Sequence, residues 1–240
     1  MAQRTLAALA VAIAATGGAL IPTVSQAQVA FNVGLFSDYR YRGISQTRLK
    51  PAIQGGVDYS AGGFYVGAWA SNIKWIKDIG GDASVEIDVY GGYKGEISKD
   101  LTYDVGVLTY VYPSNKLKSI TGANADTTEI YGALTYGPAT LKYSHSVTNL
   151  FGTPDSKNSG YFDLSATFDV GGFAVVPHIG YTKVNNYSDF DYTDYSLTVS
   201  KDFSGLVVSG AIVGADLKAY APNGKRLDKT GLVVGVKYNF

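Results

Sequence analysis

The sequence predicts an all-β protein: a single closed antiparallel transmembrane β-barrel of about twelve strands, with short periplasmic turns and longer extracellular loops. Three observations lead there. The chain ends in a strand with two unlike faces: Leu232, Val234, Val236, Tyr238 and Phe240 alternate with Gly231, Val233, Gly235, Lys237 and Asn239. The 240 residues hold 29 Gly, 19 Tyr and 10 Phe with only 17% charged, and beyond the N-terminus no run reaches 18 apolar residues. Finally, the segments joining the alternating stretches are by turns short and long.

The N-terminus reads as a secretory signal. Arg4 supplies a positive start, Leu6 to Leu20 an apolar stretch loosened by Gly17 and Gly18, and Ser25-Gln26-Ala27 small residues before a cut between Ala27 and Gln28. A membrane anchor is the competing reading, but the stretch is short and the alternating pattern begins at once. Residues 1–27 are therefore set apart as signal, and 28–240 as one barrel domain. Arg4 is the only charge removed, leaving 19 basic against 20 acidic residues. That near-balance offers nucleic acid no basic surface. Without Cys the chain has no disulfide framework and no thiol chemistry.

Strands are expected near Val29–Asp38, Ala52–Tyr59, Phe64–Ser71, Ser84–Tyr93, Leu101–Tyr112 and Thr128–Tyr136. Six more follow near Ala139–Thr148, Gly160–Phe168, Phe173–Thr182, Tyr192–Ser200, Leu206–Ala215 and Thr230–Phe240. Ser60–Gly63, Lys94–Asp100, Gly137–Pro138, Asp169–Gly172 and Lys201–Gly205 read as tight turns rich in Gly, Asp and Pro. The longer connections are Tyr39–Pro51, Asn72–Ala83, Pro113–Thr127, Asn149–Ser159, Lys183–Asp191 and Asp216–Lys229. With the C-terminus at the periplasmic rim, an even strand number puts the N-terminus there as well.

A lipid-facing Arg or Lys at mid-membrane costs about 2–4 kcal/mol, so charge must sort by parity. It does. Glu86, Asp88 and Tyr90 oppose Val85, Ile87, Val89 and Tyr93; Asp104 opposes Tyr103, Val105 and Val107; Glu129 opposes Ile130 and Leu134; Asp163 opposes Phe162 and Leu164. The inward set by this rule is Asp38, Arg40, Arg42, Gln54, Asp58, Glu86, Asp88, Asp104, Glu129, Lys142, Asp163, Asp194 and Lys237. Such charges can hydrate a pore or pair into a plug-like network. Inward Gly56, Gly92, Gly106 and Ala133 favour an open polar lumen, narrower than that of 16- to 18-stranded porins. Outward aromatics gather beside the short turns: Tyr59 and Phe64, Tyr93 and Tyr103, Phe168 and Phe173, Tyr238 and Phe240, with Tyr136 alone at its turn. Either face of the third strand can carry Trp69.

The run Ser37-Asp38-Tyr39-Arg40-Tyr41-Arg42-Gly43-Ile44-Ser45-Gln46-Thr47 resembles the N-terminal signature of the TorF-type (Gcw_chp-like) porin family. So do Pro51-Ala52-Ile53-Gln54 and the stretch from Gly63 to Ile73, and Glu86 to Tyr93 and Tyr112-Pro113 are similar to further family blocks; Lys50 is a local departure. The resemblance covers the mature chain. It implies an outer-membrane channel with no defined substrate and no catalytic residues to carry over. The expected setting is the outer-membrane bilayer, reached after export and through the barrel-assembly machinery reading Tyr238 and Phe240. Small solutes are the expected partners, with no cofactor, no metal and no nucleic acid.

Asp38, Arg40 and Arg42 would continue the first strand inward, opposite Glu86 and Asp88. A positive cluster facing a negative one sets up a transverse field, a selectivity zone for dipolar solutes. The alternative is an ion-pair latch holding the first loop. Two other function classes are weighed. An adhesive or structural barrel would use the loops, which carry no long aromatic or repeat-bearing insert. A hydrolase would need a Ser-His-Asp/Asn set. His145 lies on the lipid-facing parity between Ser144 and Ser146, which point the other way. His178 is inward beside Pro177, with no Ser near it in sequence.

Overall fold

The computed structural model describes residues 27–240; the signal stretch up to Gln26 lies outside the described residues. Twelve strands cross the molecule in chain order. They span Gln28–Phe36, Ala52–Ala61, Phe64–Asn72, Val85–Ser98, Leu101–Val111, Thr127–Tyr136, Ala139–Ser146, Gly160–Ala166 continued by Phe168–Val170, Phe173–Lys183, Tyr192–Phe203, Leu206–Ala215 and Gly231–Asn239. Each pairs antiparallel with its sequence neighbours, and the first pairs with the last, so the sheet closes on itself. Closure removes every unpaired edge, as hydrocarbon requires. At the seam Phe240 N–H donates to Phe31 O at 3.0 Å and Phe31 N–H to Phe240 O at 2.8 Å.

The two-residue turns Gly62-Gly63, Gly171-Gly172 and Ser204-Gly205 hold both residues at positive φ, the twist that tight hairpins need. Several expected boundaries move. The fourth strand runs on to Ser98, pairing Gly95 with Tyr103, so the turn shrinks to Lys99-Asp100. Gly95 is not a turn glycine: a Cβ there would meet the Tyr103 ring, which lies flat across it. The tenth strand continues to Phe203, and Lys201 rests its ammonium 4.6 Å over Phe173, a cation snorkelling at the rim. The first strand stops at Phe36, short of Asp38. The eighth strand breaks at Thr167, where the register brings Pro177 alongside Ala166 and the ladder lacks an N–H.

The parity rule holds around the cylinder. Val33, Val89, Val107, Leu141, Leu164, Ile179, Leu197 and Ile212 form an exposed apolar wall, while Glu86, Asp88, Glu129, Asp163 and Asp194 are buried inside. Tyr59, Phe64, Tyr136, Phe168, Phe173, Tyr238 and Phe240 are exposed beside the short turns, and Tyr93 and Tyr103 of the expected girdle are half-buried. Trp69 faces inward, packed against Tyr39 at 5.3 Å.

The Gly and Tyr abundance has a packing cause. Gly67 stands opposite Tyr90, Gly106 opposite Tyr131 and Gly235 opposite Phe36. In each pair the missing Cβ lets the ring lie on the neighbouring strand; a Cβ on Gly67 would come within 2.6 Å of Tyr90. Rings laid flat cover backbone without filling the bore.

Candidate functional site

After Phe36 the chain turns into the barrel. Arg40–Tyr41 and Ile44–Ser45 pair as a miniature hairpin around Arg42-Gly43, whose φ angles of 44° and 80° make a primed turn. Gly43 is needed twice over: a Cβ would strain its positive φ and come within 2.9 Å of Asp194 Cβ and 2.8 Å of Ala215 Cβ. The tip thus presses on the tenth and eleventh strands, while its side chains reach the opposite wall.

The hairpin is clamped by charge. Arg42 Nη2 donates to both Glu129 carboxylate oxygens at 2.9 and 2.8 Å, and its guanidinium lies 4.0 Å over the Tyr161 ring. Arg40 Nε donates to Asp38 at 2.6 Å; its Nη1 donates to Leu227 O at 2.8 Å and Lys229 O at 3.2 Å, tying loop one (residues 37–51) to loop six (216–230). Asp38 also accepts from Ser45 at 2.6 Å and Thr47 at 2.8 Å. Buried charges stay ionised only when so supplied.

These contacts correct the expected arrangement. Asp38, Arg40 and Arg42 are not a strand extension, and the arginines do not face Glu86 and Asp88. Glu86 instead accepts from Tyr39 at 2.5 Å and Tyr112 at 2.8 Å. Asp88 is buried, with Oδ1 lacking a hydrogen-bond partner among the described residues. Aromatic rings complete the packing: Tyr41 meets Tyr110 at 5.5 Å and Phe151 at 5.3 Å, and Trp75 meets Tyr112 at 5.2 Å. The long-loop half of the lumen is therefore narrowed by the hairpin and by the hydrogen-bonded and aromatic groups around it.

Elsewhere on the inner wall Asp58 and Asp104 are half-exposed, while Gln54, Asp163 and Asp194 are buried. Asp58 accepts from Tyr90 at 2.6 Å, and Asp104 from Tyr65 at 2.6 Å with Lys94 at 3.7 Å. Lys142 Nζ sits 4.0 Å over the Tyr131 ring. Gln54 and Lys237 face inward on the second and twelfth strands. His178 lies between two carboxylates, Nε2 at 3.0 Å from Asp163 and Nδ1 at 3.7 Å from Asp194. Strand register brings Ser165 and Ser196 alongside His178, neighbours that sequence spacing hides. The ring nitrogens face Asp163 and Asp194, and the Tyr161 hydroxyl lies 3.1 Å from Nε2.

Loop six is held by a second buried acid. Burial alone would raise the Asp228 carboxyl, but the Arg226 guanidinium, with Nε at 2.7 Å, and backbone N–H donors hold it below its usual range. A depressed folded value means stability present above the unfolded value of about 3.9 and lost as pH falls through the folded one. Loop six should therefore resist pepsin at about pH 4.5 and be nicked at about pH 2. Asp228→Asn should be nicked at both; resistance of that variant at the higher pH would refute the clamp.

Sequence reasoning missed Tyr39, Tyr110, Tyr112 and Tyr161 as partners of the charges. The available signal was Arg42-Gly43 between Tyr41 and Ile44, a turn dipeptide flanked by strand formers.

Comparison with known proteins agrees with this architecture. Two solved barrels, both about the length of this one, superpose on it: the KdgM porin in complex with disordered oligogalacturonate, at TM-score 0.54 and 10% identity, covering 90% of this chain and 99% of that one; and the NanC porin, at TM-score 0.56 and 12% identity, covering 88% and 99%. At these identities the likeness is one of fold. No curated protein matches the sequence. The family model described as "Bacterial protein of unknown function (Gcw_chp)" matches residues 22–240, and the chain belongs to that family.

Proposed function

We propose that this chain is an outer-membrane porin of the TorF type, a narrow channel for passive diffusion of small polar solutes or ions. The observation that carries the reading is the complete segregation of the closed barrel, apolar outside and ionisable within. In a membrane such a cylinder has a polar path across it and no hydrocarbon-facing charge at mid-height. Asp58, Asp104, Lys142, Asp163, Asp194 and Lys237 line that path, and the loop-one hairpin with Arg42 and Glu129 is its constriction. On this reading the chain is exported after a cut before Gln28, and the short turns are periplasmic.

The test is planar-bilayer recording of refolded 28–240 with a panel of ions and small solutes. Discrete current steps smaller than those of 16- to 18-stranded porins are expected. Folded barrel, verified by heat-modifiable gel mobility, that gives no steps under any condition would favour the structural or adhesive reading.

A further inference from the structure

On the long-loop rim, Thr47, Arg48, Lys50, Lys74, Asn223 and Lys225 line a cavity of about 320 Å³. Loop one, loop two (residues 73–84) and loop six each contribute, so the cations come from three separate segments. Like charges repel, and folding gives three loops no reason to gather four cations around one hollow. Arg48 has Asp78 as partner. Among the described residues no ion pair engages Lys50, Lys74 or Lys225. Loop five (184–191), on another part of the rim, carries Asp189 and Asp191 and no cation at all.

Contacts between the loops hold the lining in place. Its Thr47 is fully buried, with Oγ1 2.8 Å from Asp38 Oδ1 and 2.6 Å from Lys50 O, either of which can take its one proton. Lys74 N–H donates to Gln46 O at 2.7 Å, fixing loop two on loop one. Arg48 and Leu49 stand at φ 57° and 58°, two successive left-handed residues that are not glycine. Such strain persists only where the surroundings over-determine it, and it gathers at ligand sites.

We propose that this rim cavity binds a multiply charged anion, a molecule carrying two or more carboxylate or phosphate groups. The ammoniums of Lys50, Lys74 and Lys225 supply point charges that both anions accept. The Asn223 amide adds a neutral donor. The volume sits at the small end of ligand pockets, which suits a disaccharide-sized molecule better than a polymer. Placed at the mouth, the cluster would concentrate anions from solution by long-range attraction. The binding itself does not depend on conduction, so the proposal goes beyond the channel reading and can fail separately from it.

The experiment is calorimetric titration of refolded 28–240 in uncharged detergent at about 50 mM salt, where surface charge is weakly screened. The probes are pyrophosphate, a di-uronate, maltose as neutral control, and diphosphoryl lipid A in mixed micelles. The variants are Lys50→Gln/Lys225→Gln and, as a control on another loop, Lys118→Gln. Anionic probes should bind the parent and Lys118→Gln alike, and bind the double variant about tenfold or more weakly, while maltose does not bind. Loss confined to the soluble anions assigns a solute; loss confined to lipid A assigns a lipid headgroup; either upholds the anion site. Absence of binding by every anionic probe, or equal binding by the double variant with unaltered heat-modifiable mobility, overturns it. Binding without conductance would sink the channel reading alone, and conductance without binding would sink only this one.

Discussion

Arg42→Ala should enlarge the single-channel current and shift ion selectivity while leaving the barrel folded. The side chain is buried and donates to both oxygens of the Glu129 carboxylate, which has only a longer bond from Tyr110 OH at 3.4 Å besides, and it makes a cation–π contact on Tyr161. Removing one partner of a buried pair strands the other, at a cost of about 3–5 kcal/mol. The hairpin can escape that cost by leaving the lumen, because its own ladder joins only two residues to two. The twelve crossing strands cannot. Heat-modifiable mobility should therefore persist in the variant. Adding Glu129→Ala removes the stranded charge, and should bring the current part of the way back, a coupling that independent sites would not display. Equal conductance and selectivity in parent and Arg42→Ala would reject the hairpin as the constriction.

Leu164→Arg tests the outer wall with an effect of similar size. Leu164 is half-exposed on the eighth strand, between Leu141 and Ile179 on the adjoining strands. An arginine there would sit in hydrocarbon, and the expected loss is about 2–4 kcal/mol of folding free energy in liposomes. Ala133→Lys, at an inward position of the sixth strand, should cost much less because its ammonium meets polar groups. The comparison is read from urea titrations of folded fraction in lipid. Equal stability of parent and Leu164→Arg would mean that this face meets water, and the membrane reading would go with it.

Most of the barrel was legible residue by residue. Strand positions, their number and the inward or outward sense of Glu86, Asp88, Asp104, Glu129 and Asp163 follow from alternation, because the penalty for an outward charge falls on each residue alone. Errors arose where a side chain answers to a neighbouring strand. Gly95 reads as a turn until Tyr103 is seen lying across it. Lys201 reads as turn polarity until Phe173 is found beneath its ammonium. Ser165 and Ser196 look remote from His178 until register aligns them.

By itself, then, the sequence determined the cylinder: its period, its two chemistries and its aromatic rim, all set by short-range patterning against lipid. The tertiary structure alone decided where the signature segment goes. Arg42 finds Glu129 across 87 residues, and Arg40 finds the Leu227 carbonyl across 187. Partners so distant leave no period in the chain, since they are chosen by closure of the sheet and by the need of each buried charge for a counterpart. The same closure gathers the lysines of three loops at one mouth.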